Sequence, residues 1–237
     1  MDIFYWPVMD LLLWGFLSVY LQKTQLSTVN FISIILGALI FWDLLNQSQR
    51  AVSVSFLEDV WERNLLNIFV TPLRASEFLV ATLFLGFIRI LLISIIMGIL
   101  AFFLYHFDIF TLGWWLVPFF VNLLFFGWSL GIFTIGIIFR YGTQAQILAF
   151  GFIFIIQPFA AVFYPVSALP AGIQPLAHII PASYVFEGMR AVIAGSFPGR
   201  DLFMAFFTNA IYLILSISFF YIMFRRARRD GRLMKLE

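Results

Sequence analysis

Long apolar runs, each close to the length of a bilayer crossing, alternate along this chain with short clusters of polar and charged positions. The runs cover residues 6–22, 29–46, 78–105, 114–139, 147–164 and 202–224. A helix rising ~1.5 Å per residue crosses ~30 Å of hydrocarbon in about 20 residues, so these runs predict six spanning helices. They are continuous rather than alternating, which excludes the short strands of a barrel. The first run begins almost at Met1, lacks a small-residue cleavage pattern and leads into a second run, so it is expected to be a retained helix.

Residues 57–77, LEDVWERNLLNIFVTPLRASE, form the internal place where acids, bases and amides cluster between such runs. In a helix over 57–70, Leu57, Val60, Trp61, Leu65 and Ile68 share one face, and Glu58, Asp59, Glu62, Arg63 and Asn67 take the other. Pro72 removes a donor and turns Thr71 away from helical dihedrals. Thr71 as N-cap with Pro72 at the first helical position starts the next helix, so this stretch predicts helix, break, helix.

A second broken stretch covers residues 166–201, punctuated by Pro170, Pro175 and Pro181 after Pro165. Pro181 is placed to open a helix running to about Ala194, in which Glu187 and Arg190 stand three apart and can pair. Apolar but interrupted segments suit re-entrant or interfacial helices packed on protein. A capped outer loop and a moving gate both remain open.

Composition agrees with the pattern. Of 237 residues, 63% are hydrophobic and only 11% charged, with a mean hydropathy of +1.02, so the chain is an all-α integral membrane protein with no separate soluble domain. No internal repeat or linker divides it, and one membrane domain over 1–237 is expected. Arg50, Arg63, Arg74, Arg140, the arginines at 225, 226, 228, 229 and 232, and Lys235 fall on one side of the predicted spans. The other side holds only Lys23, Arg190 and Arg200, so both termini are expected in the cytoplasm, with the chain in the cytoplasmic membrane. A basic tail after a last span is a topology anchor, and no nucleic-acid partner is expected.

There is no cysteine, which removes disulfides and thiolate chemistry. The only lysines, Lys23 and Lys235, lie outside any Gly-Lys-Ser/Thr context, so a phosphate-binding loop is absent. His106 and His178 fall in different predicted loops without converging ligands, and no protease or esterase motif occurs. The chain is expected to be non-catalytic, with no metal and no bound cofactor.

Charges within spans are costly and face a partner or a water-filled path. Counting from the inner end of its helix puts Arg89 on the order of 16 Å deep, near mid-membrane, and Asp10 and Asp43 lie towards the inner ends of the first two spans. An Arg89 pair with Asp43 or Asp10 is one expectation; Arg89 facing a substrate path is the other. Tyr105, Trp114 and Trp115 mark an outer interfacial belt, and Gly127 and Gly131 give a small-xxx-small packing signal. The 32 phenylalanines are expected mainly in lipid and packing contacts.

Two stretches together carry a family resemblance: SFLEDVWERNLLNIFVTPLRASEFLVA and YPVSALPAGIQPLAHIIPASYVFEGMRAVIAG. They resemble the membrane subunit of type-2 ABC exporters, the permease class that moves polysaccharides, lipids and drugs. The resemblance implies a six-span subunit that dimerises, with itself or a homologous permease, and works with separate ATP-binding cassette subunits that hold ATP and Mg²⁺. It implies a coupling helix between the second and third spans, carried here by Glu58, Asp59, Glu62, Arg63, Asn64, Thr71, Pro72, Leu73 and Arg74. The short loop at 140–146 would be a secondary contact. It also implies short re-entrant helices before the last span that close the exit, with Pro170, Pro175, Pro181, Glu187 and Arg190 as gate residues. Members of the family generally carry a basic elbow helix ahead of the first span, whereas this sequence begins at the span itself. An ion-coupled secondary transporter using Arg89, Asp43 and Asp10, and a membrane scaffold that transports nothing, are the competing classes.

Overall fold

The computed structural model describes residues 2–24, 31–62, 64 and 73–229. The described residues are helical wherever they are regular, as continuous apolar runs in lipid require, because only a helix satisfies its backbone within one segment. The order is α1 (Asp2–Thr24), α2 (Phe31–Trp61), α3 (Ala75–Tyr105), a 3₁₀ segment (Ile109–Trp115), α4 (Leu116–Tyr141), α5 (Gln146–Ile156), α6 (Gln174–Ile179), α7 (Pro181–Ile193) and α8 (Gly199–Arg229).

Three segments of the described residues are long and apolar enough to cross a membrane: Ala75–Tyr105, Ile109–Tyr141 and Gly199–Arg229. The middle one is the axis of the bundle, since 72% of its apolar window is buried against 22% for each of the other two. α4 can occupy the centre because it lacks bulk where α2 crosses it. A Cβ on Gly131 would stand 2.6 Å from Val52 Cβ and 2.9 Å from the Gln49 carbonyl oxygen; one on Gly127 would stand 2.9 Å from the Leu45 carbonyl oxygen. The small-xxx-small spacing therefore brings two helix backbones into direct contact, the arrangement that dispersion favours inside a membrane.

The register of contacts sets the directions. Leu45 and Gln49 meet Gly127, and Gln49 and Val52 meet Gly131, so α2 and α4 run parallel. Asn122 meets Asn209 and Gly136 meets Phe219, so α8 runs with them. Phe78 meets Phe56 and Gly86 meets Ala51, so α3 runs the opposite way. The α2–α3 junction, the turn after α4 and the C-terminal end of α8 thus share one end of the bundle, which carries Arg74, Arg140, Arg225, Arg226, Arg228 and Arg229. This is the basic end.

Polar clips tie the helices across their apolar faces. The Asn209 side-chain amide donates to Asn122 Oδ1 at 2.8 Å and to the Asn122 carbonyl at 3.0 Å. Gln49 Nε2 and the Ser53 hydroxyl both donate to the Ala149 carbonyl, at 3.2 and 3.3 Å, fastening α5 to α2.

Three predicted boundaries change. The expected span over 147–164 is not one helix: α5 has 11 residues, about 17 Å, and gives way to turns because Pro158 has no N–H for the preceding turn. The predicted helix over 57–70 does not start at Leu57, since α2 continues unbroken to Trp61. Leu57 and Val60 are fully packed, so the core that holds the span holds its extension too. Finally, Leu73 and Arg74 precede α3 rather than belonging to it. The Arg74 N–H donates to Glu77 Oε2 at 2.8 Å, a carboxylate cap that starts the helix at Ala75.

Candidate functional site

At the basic end, the α2–α3 junction presents a charged outer surface over an aromatic floor. Glu58 and Glu62 point to solvent, one turn apart, while Leu57 and Val60 point inward. Trp61 departs from the expected apolar face: it is 49% exposed and lies flat along Phe150 of α5, ring centroids 6.4 Å apart. Asp59 is half-buried and accepts from the Asn64 side chain at 3.3 Å, with the Asn64 N–H bonded to the Asp59 carbonyl at 2.9 Å. Desolvation raises the Asp59 carboxyl above its ordinary value, the Asn64 hydrogen bond opposes this, and the Glu62 carboxylate adds to it. On the α3 side, Leu73 and Arg74 are exposed. Of the residues expected in the coupling segment, Arg63, Thr71 and Pro72 lie outside the described residues, as do Leu65, Asn67 and Ile68.

The floor was not legible beforehand. Phe56 of α2 packs edge-on against Phe139 of α4 at 5.0 Å and against Phe78 of α3 at 6.1 Å. Phe139 in turn meets Phe220 and Phe224 of α8 at 5.7 and 5.5 Å. These ring contacts run without a gap from the junction through α4 to α8. The turn after α4, Gly142–Ala145, closes the same end, and Gly142 takes a φ of 65° that a side chain would resist. Arg50 of α2 sits over the Phe150 ring at 5.7 Å, on the ring that Trp61 also covers.

At the opposite end, residues 157–198 fold back over the bundle. Ala161 adopts a φ of 51°, which is strained for a residue with a Cβ and reverses the chain after α5. Arg190 holds that reversal: Nη1 donates to the Val162 carbonyl at 3.1 Å and Nη2 to the Ala161 carbonyl at 2.9 Å. Glu187 Oε1 lies 3.3 Å from Arg190 Nη2 and accepts from the Val166 N–H at 2.6 Å. The predicted Glu187–Arg190 pair exists, and it does more than pair, because both side chains also satisfy backbone that the fold-back leaves open. Pro181 opens α7 as expected, and the Ser183 hydroxyl donates to the Ile180 carbonyl at 2.7 Å and to the Ala177 carbonyl, joining α7 to α6. Pro175 lies in the first turn of α6, and Pro170 opens the turn that precedes it, its carbonyl accepting from the Ile173 N–H at 2.8 Å.

The intramembrane charges do not gather as expected. Asp43 is buried at 8% exposure, where it is hydrogen-bonded by the Gln47 side chain and lies within electrostatic reach of Arg50 and Asp10. Asp10 and Arg89 are exposed, and no ion pair among the described residues joins Arg89 to either acid. Arg89 stands 14 residues after Ala75 and 16 before Tyr105, at the middle of the 31-residue α3 and on its exposed face. Tyr105 itself is no belt residue: it is buried against Gly15, and its hydroxyl donates to the Leu12 carbonyl at 3.2 Å. Trp114 is 90% exposed at that end.

The family model of the ABC-2 type transporter matches residues 1–194, spanning the junction and nearly all of the fold-back. No curated protein matches the chain.

Proposed function

The chain belongs to the ABC-2 type transporter family, the membrane permease component of type-2 ABC transporters, and on that premise we propose that it is the export permease of an ATP-driven pump. In this reading two copies, or one copy and a homologous permease, enclose a path, and separate ATP-binding cassette subunits bind ATP and Mg²⁺ below them. In the same reading the basic end faces the cytoplasm with both termini inside, a view supported by the distribution of arginines. The reading takes six crossings, with α5 and the turns that follow it together as the fifth. The cargo is a lipid, saccharide or drug-like molecule.

The observation that carries the proposal is the aromatic chain Phe56–Phe139–Phe220, which links the charged junction to the central helix and the last helix. Closure of the ATPases would press on Glu58, Asp59, Glu62, Arg63, Asn64 and the Thr71-Pro72-Leu73-Arg74 strip. The push would tilt α4 and α8, and the fold-back under Glu187 and Arg190 would release the exit. Work enters only as differential binding of the ATPase to two states of the permease.

The test is purification with the cognate ATPase in nanodiscs, reading stoichiometry and ATPase rate. A Glu58→Arg, Glu62→Arg double variant is expected to weaken ATPase binding and abolish ATP-driven transport. Full transport by that variant would refute the coupling role. The buried carboxyl of Asp43 favours a second reading, an ion-coupled transporter. Transport that persists without nucleotide but collapses with a protonophore would establish it instead.

A further inference from the structure

A groove of 610 Å³ opens on the flank of the bundle between α2, α3, the segment 107–110 and the start of α4. Its size is that of a small-ligand site, about 300–1,000 Å³. Along α3 it runs from Leu91 to Phe103, which is about 18 Å of helix and matches one leaflet of a ~30 Å hydrocarbon core. It lies in the half of the bundle away from the basic end. Ser94 and Asp108 are the only polar side chains in its lining. Gly98 keeps the floor open: a Cβ there would meet only Ile109 Cγ2, at 3.9 Å. The walls stand up around it, with Phe103 73% and Phe110 75% exposed.

Beyond Ser94 and Asp108 such a lining offers no partner to water or a sugar, most of whose hydroxyls would go unpaired. It suits one extended hydrocarbon chain. The mouth adds a sign. Asp108 is exposed there, with Oδ1 accepting from the Phe110 N–H at 2.8 Å and the other carboxylate oxygen facing no partner among the described residues. No lysine or arginine lines the groove, so the rim repels an anionic headgroup and attracts an amine.

We propose that this groove holds an acyl chain of one ordered phospholipid of the leaflet opposite the basic end, with the headgroup amine on Asp108. The groove lies away from the coupling junction at the basic end, and the proposal stands whether or not the pump reading does.

The test reconstitutes the full chain in an equal mixture of phosphatidylethanolamine and phosphatidylglycerol, then counts retained lipid by native mass spectrometry. Wild-type protein is expected to keep one phospholipid per chain, with phosphatidylethanolamine preferred about five-fold, the size an exposed ion pair supplies. Gly98→Phe should fill the groove and remove the retained lipid. Asp108→Asn should keep a lipid and lose the headgroup preference. On the unaltered protein, a phosphatidylethanolamine carrying a diazirine in its acyl chain should label peptides containing 91–103 and 107–120. Labelling elsewhere, or a Gly98→Phe variant that keeps its lipid, overturns the proposal. Because the chain has no cysteine, Phe103→Cys gives a clean further reading: an oxidative dimer at that position would make the face a subunit interface and overturn it too.

Discussion

Gly131→Ala adds one methyl group where α2 and α4 cross in close contact, and the distances there set the size of its effect. The new carbon would stand 2.6 Å from Val52 Cβ, 3.0 Å from Val52 Cγ1 and 2.9 Å from the Gln49 carbonyl oxygen. Carbon atoms rest about 3.5–4.0 Å apart, so the helices must part by roughly 1 Å. Neither neighbour can step aside, since one is a backbone oxygen and the other the stiff, branched stem of a valine. Overpacking of this kind destabilises by about 1–3 kcal/mol, and in a chain of this length each kcal/mol moves Tm by about 2–4 °C. Thermal unfolding in detergent, followed by tryptophan fluorescence, should therefore show a drop of about 2–12 °C. Gly127 meets the same helix one turn away, so Gly127→Ala with Gly131→Ala should lower Tm by less than the sum of the two, because one separation relieves both clashes. Gly151→Ala in α5 is the control: its Cβ meets nothing within 4 Å, and it should leave Tm unchanged or raise it. A Gly131→Ala protein as stable as the Gly151→Ala control would refute the close contact of α2 and α4.

The other sites have their own readouts. Asn209→Leu removes the clip to Asn122 and should destabilise by about 0.6 kcal/mol, at most about 1.7, visible as a small loss of Tm with the helical circular dichroism retained. Arg190→Lys should loosen the fold-back almost as much as Arg190→Ala, since an ammonium cannot span the Ala161 and Val162 carbonyls and Glu187 together; faster labelling of a cysteine placed at Ala161 would report it, and labelling at the wild-type rate would argue against the staple. Phe139→Ala should leave ATPase binding intact and uncouple it from transport; unchanged transport would sink the aromatic link. For Asp59, a folded pKa above the ordinary 3.8 means that the native state binds the extra proton, so its contribution to stability is complete below that value and is lost as pH rises through the folded pKa. Asp59→Asn should remove that decline, measured as a flatter Tm against pH in the acidic range.

What the sequence could say about itself followed from period and length. Apolar runs too long and too continuous for strands read as helices, Pro181 was well placed at a helix start, and Gly127 with Gly131 gave a packing signal of low specificity that the crossing of α2 and α4 made concrete. The cluster at 57–77 and the pairing of Glu187 with Arg190 were visible because charge between apolar runs stands out. Periodicity, however, tells which face of a helix is apolar and says nothing of what that face meets. Only the folded chain could decide that α2 continues to Trp61 on the support of Leu57 and Val60, that the run after 146 stops at Ile156, and that Tyr105 plugs α1 instead of lying in the interface. Arg89 shows the limit most plainly. Its pairing depends on which helix lies alongside, and that is a distance between elements rather than a property of either one.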